Sequence, residues 1–106
     1  MASLVYINSK LVDAIYILTT DEGDARTRLA RVLPKILILS SSSFPPELQK
    51  DFDWIKSTIK RGAGQTPPGF PPPYKLTGIT NPTASKVIKK LLDIQEKIEL
   101  IIEQDT

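Results

Sequence analysis

A chain of 106 residues, 41% hydrophobic and 25% charged, has the composition of one folded domain with a modest core, far from that of a disordered segment. Its net charge of +2 is too small to argue for nucleic acid unless the basic residues cluster. With no cysteine and no histidine it lacks disulfides, thiolate chemistry, the commonest metal ligand and the commonest general base, which removes many enzyme classes.

Near the N-terminus, Leu4, Ile7, Leu11, Ala14, Ile15 and Leu18 recur at helical spacing, with Ser9, Lys10 and Asp13 on the other side, predicting a helix over residues 3–19. Val5, Val12, Tyr16 and Ile17 carry the apolar character past half of its circumference. Such a helix either lies centrally between other helices or offers a contact surface to a partner. Asn8, Ser9, Lys10 and Asp13 break the apolar run before a signal-peptide core or a membrane span can form. The expectation is a cytoplasmic protein without a membrane partner, or one exported by a route the sequence does not reveal.

The stretch from Thr19 to Asp24 reads as a stop and a restart, because Thr and Asp side chains accept hydrogen bonds from the free amides of a helix start. A second helix over 22–38 follows through Ala25, Leu29, Val32 and Leu33. Asp24 precedes Arg28 by four residues, an ion-pair spacing, and Arg26, Arg28, Arg31 and Lys35 follow the acids as the helix dipole prefers. Pro34 removes a backbone donor and crowds the carbonyl of Ala30, which predicts a kink or an end there. The run Ile36, Leu37, Ile38 and Leu39 suits either a short buried strand or a last helical turn. A lone strand has no partner, which favours the turn.

Pro45, Pro46 and Glu47 start a third helix over 46–60, with Leu48, Phe52, Ile55 and Ile59 on one stripe. Trp54 lies off that stripe and either covers a groove or meets a ligand. Residues 61–80 then hold most of the prolines and four of the five glycines. They predict a polyproline-like linker, draped over the bundle through Phe70 and Tyr74 or mobile. Asn81 as N-cap and Pro82 at the first position open the last helix, 82–103. Its stripe of Ala84, Val87, Leu91, Ile94, Ile98 and Ile101, widened by Ile88, Leu92 and Ile102, calls for at least two neighbours. The whole reads as a single all-α domain over 1–106, a four-helix bundle with a long proline-rich connection before the C-terminal helix.

Three stretches carry a resemblance: Gly23-Asp24-Ala25-Arg26-Thr27-Arg28-Leu29, then Phe44-Pro45-Pro46-Glu47-Leu48 with Asp51-Phe52-Asp53-Trp54-Ile55, and Asn81-Pro82-Thr83-Ala84-Ser85-Lys86-Val87. Together they resemble a group of small bacterial proteins sharing a Gly-Asp-x-Arg-x-Arg-Leu core, a Phe-Pro-x-Glu-Leu turn and an Asn-x-Thr-x-x-Lys helix start. The resemblance implies a bacterial, intracellular origin and carries no function with it. The proline-rich insert between Gly62 and Tyr74 is not shared.

Four features compete as sites. Arg26, Arg28, Arg31, Lys86, Lys89 and Lys90, with Lys56, Lys60 and Arg61, would bind phosphates or an acidic partner if they converged, although solvated helix faces explain them too. The last helix runs from lysines (Lys86, Lys89, Lys90, Lys97) to acids (Glu96, Glu99, Glu103, Asp105). Two copies lying antiparallel would pair those charges and seal an apolar seam at Leu100 and Ile101. Pro71-Pro72-Pro73-Tyr74 and Pro68-Gly69-Phe70-Pro71 match short proline motifs that arise readily in any such linker, and no partner for them is expected in a bacterium. Asp21, Glu22 and Asp24 are explained by helix capping better than by a cation or acid-base chemistry. The expectation is a non-enzymatic interaction module or small subunit of a larger bacterial assembly, with no catalytic residue, metal or cofactor. Its partner would be another protein or a second copy, and Trp54, Leu100 and Ile101 are the candidate apolar contacts. The alternative is a nucleic-acid-binding accessory protein using the basic faces.

Overall fold

A computed structural model describes residues 3–63, 76 and 78–104. The first helix, α1 (Leu4–Thr20), starts where Ser3 Oγ accepts the amide of Tyr6 at 3.1 Å. It stops as Thr19 and Thr20 turn their hydroxyls back onto the carbonyls of Ile15 and Tyr16. Gly23, at φ +112°, then reverses the chain, and Asp24 caps α2 (Ala25–Leu37) by accepting the Thr27 amide at 2.9 Å. Glu22 and Gly23 therefore stay outside the helix that the sequence would begin at residue 22.

Pro34 does not end α2. The helix passes through it to Leu37, and the Leu39 amide closes the last turn onto the carbonyl of Ile36 at 3.1 Å. The ambiguous apolar run is thus helix end and not strand, and no strand occurs among the described residues. A single 3-10 turn, Ser41–Ser43, leads into α3 (Pro46–Ala63), which outruns its expected end by three residues. Phe44 and Phe52 stack with ring centroids 4.2 Å apart, and Lys56 Nζ reaches back to the Leu39 carbonyl at 2.9 Å, tying the turn to α3.

The last helix, α4 (Asn81–Gln104), departs from expectation at its first turn. Its cap is Thr80, whose hydroxyl accepts the Thr83 amide at 3.3 Å and whose carbonyl accepts the Ala84 amide at 3.0 Å. Asn81 is already helical and is occupied elsewhere. The proline-rich connection, with Phe70, Tyr74 and both proline motifs, lies outside the described residues. Its two ends meet: the Gly78 amide donates to the Gly62 carbonyl at 2.8 Å. A Cβ at Gly78 would sit 2.6 Å from the Arg61 carbonyl oxygen, so only glycine fits this approach.

α4 is the hub. It touches α1, α2 and α3, while α1 also packs on α2. Ala84, Val87, Leu91, Ile94 and Ile98 are fully buried against Ile7, Leu11, Leu29, Leu33, Phe52 and Ile55 in one core. Each such large side chain contributes about 1.5–3 kcal/mol relative to exposure. Directions follow from contacts between the elements. Only four residues separate α1 from α2 and the two helices pack on each other, so they are antiparallel, with Arg28 and Arg31 reaching back to Leu18 and Asp21. The starts of α2 and α4 meet through Arg26 and Asn81. Gln95 Nε2 then donates to Asn8 Oδ1 at 3.1 Å, as α1 antiparallel to α4 requires. On the other flank Lys90 pairs with Asp51, and α3 is antiparallel to α4. Among the described residues no helix is long and apolar enough to cross a membrane.

Candidate functional site

The arginines that look like a phosphate-binding set are engaged within the fold. Arg26 donates its backbone amide to Asn81 Oδ1 at 3.1 Å and its Nη1 to the Ile79 carbonyl at 3.2 Å. Arg28 Nη1 reaches the Leu18 carbonyl at the end of α1, at 2.8 Å, while its buried Nε has no partner. The Asp24–Arg28 ion pair that the spacing suggests is not among these contacts. Arg31 Nη1 bonds both Asp21 Oδ2 at 3.0 Å and the Glu22 carbonyl at 2.8 Å. All three clamp a neighbouring loop or helix end, and Arg28, at the C-terminal end of α1, also offsets the negative pole of that helix.

The acids are similarly occupied. Asp21 holds Arg31, and Asp24 caps α2 and also accepts from Asn81 Nδ2 at 3.3 Å. Hydrogen bonds from Thr27, then Asn81, hold the Asp24 carboxyl below its ordinary 3.8. Asn81, in the first turn of α4, therefore serves the start of α2 twice, accepting from the Arg26 amide and donating to the Asp24 cap. No group of three metal-ligating side chains occurs among the described residues.

On α4, Lys90 pairs with Asp51 at 3.2 Å and sits 5.3 Å from the centroid of Trp54, whose ring is half-buried against the core. Trp54 is thus a packing residue roofed by a lysine. Lys86 and Lys89 point to solvent. Lys97 forms an i, i+4 pair with Asp93 at 3.0 Å, which raises its pKa. Leu100 is exposed and Ile101 rests on the core, so the two do not form one outward seam. Asp105 lies outside the described residues.

The feature left over is the outer face of α1. Ile7, Leu11, Ala14 and Leu18 face the core, whereas Val5, Val12 and Tyr16, spaced by seven and four, lie on the opposite stripe. They are 66%, 43% and 67% exposed, and Ile38 just past the end of α2 is 60% exposed. α1 is therefore not a central helix: α2 and α4 cover one side of it and leave the other open. A shallow groove of 490 Å³ runs beside the stripe, lined by Val12, Asp13, Tyr16, Ile17 and Lys35. On the same helix, Lys10 Nζ lies 5.6 Å from the Tyr6 ring centroid. The signal for this face was the excess of apolar residues around the helix. What the pattern alone does not contain is which side the neighbours occupy.

Compared with known protein families, with curated proteins and with solved structures, the chain has no match.

Proposed function

We propose that this chain is a non-enzymatic helical interaction module, a small subunit of a bacterial cytoplasmic assembly, that binds its partner through the outer face of α1. The observation that carries this reading is the stripe Val5, Val12 and Tyr16 beside an open groove. Isolated exposed apolar residues are ordinary on any surface. Three on one helical stripe, with a groove beside Val12 and Tyr16, offer apolar surface whose burial returns about 25 cal/mol for each Å² removed from water. Tyr16 suits such a role, pairing a large apolar ring with a hydroxyl able to bond at an interface rim.

The test is a photo-crosslinking residue placed at Tyr16 and, as a control, at exposed Asp53 on α3, in cells that make the protein. A discrete adduct from position 16 and none from position 53 is the expected result. Equal or absent labelling at the two positions overturns the reading. The alternative, a nucleic-acid-binding accessory protein, would rest on Lys86 and Lys89, because Arg26, Arg28 and Arg31 already bond within the chain. Two lysines without a stacking aromatic make a weak phosphate surface.

A further inference from the structure

We draw no further inference here: the strongest candidate, the apolar outer face of α1 with the groove beside Val12, Tyr16 and Lys35, belongs to the surface already proposed to bind a partner, and nothing in the structure shows which molecule covers it.

Discussion

The paired starts of α2 and α4 and the outer face of α1 treat their side chains in opposite ways. At the helix starts, Asp24, Arg26, Asn81 and, one turn on, Arg31 each find a partner inside the chain, several of them across more than fifty residues of sequence. Along the face of α1, large apolar side chains stand open to water, and Asp13 and Lys35 beside them have no ion-pair partner among the described residues. Polar groups that look available in the sequence are consumed by the fold, and apolar groups that look like core are left over. In a small bundle the surplus, and not the most conspicuous charges, marks where another molecule would add stability.

The comparison is broken most severely by attacking the hub. Leu91→Ala empties a fully buried site between helices and is expected to cost about 2–5 kcal/mol, read as a lower midpoint of chemical unfolding. Next comes Arg28→Ala, which removes the charged donor to the Leu18 carbonyl together with its packed stem. About 1.5–3 kcal/mol is expected by the same measurement. Asn81→Ala leaves the Arg26 amide without its acceptor and Asp24 without one donor, for about 1 kcal/mol. An Asn81→Asp variant retains the acceptor but loses the donor, and faces the Asp24 carboxylate. It should recover none of that loss at neutral pH, which separates the double role of Asn81 from simple capping.

A subtler effect follows from acid. The folded Asp24 carboxyl titrates below its ordinary 3.8, so its contribution is complete above the unfolded value and is lost as pH falls through the lower, folded one. Melting temperature plotted against pH should therefore fall more gently for Asp24→Asn than for wild type below about pH 4. The smallest effect sharpens the comparison from the other side. Val12→Ala has the same periodicity argument behind it as Leu91→Ala, yet should change stability by less than about 0.5 kcal/mol while weakening association. Equal losses at Leu91 and Val12 would mean that the face of α1 is not open.

All four helices were legible from apolar spacing because each buries one continuous stripe, and a stripe is a property of the local sequence. Their ends were less legible. Ser3 with Tyr6 and Asp24 with Thr27 are three residues apart and follow the ordinary capping rule, yet the expected starts at residues 3 and 22 fall one and three residues before α1 and α2 begin. At Asn81 the rule failed by one position, because its side chain serves Arg26 and Asp24 and leaves Thr80 to cap α4. Arg28 misled for a related reason: its spacing from Asp24 suggested an ion pair, but the Leu18 carbonyl comes within reach only once α1 and α2 pack. The open face of α1 was visible as excess hydrophobicity, while its direction depended on where α2 and α4 lie.

The bond between Gly62 and Gly78 closes the base of everything between them, and its geometry is fixed by two residues with no side chain to displace. Doubling the number of residues that this bond encloses should cost only about 0.6 kcal/mol in closure entropy, so a longer connection could be grafted there with the Gly62–Gly78 closure kept.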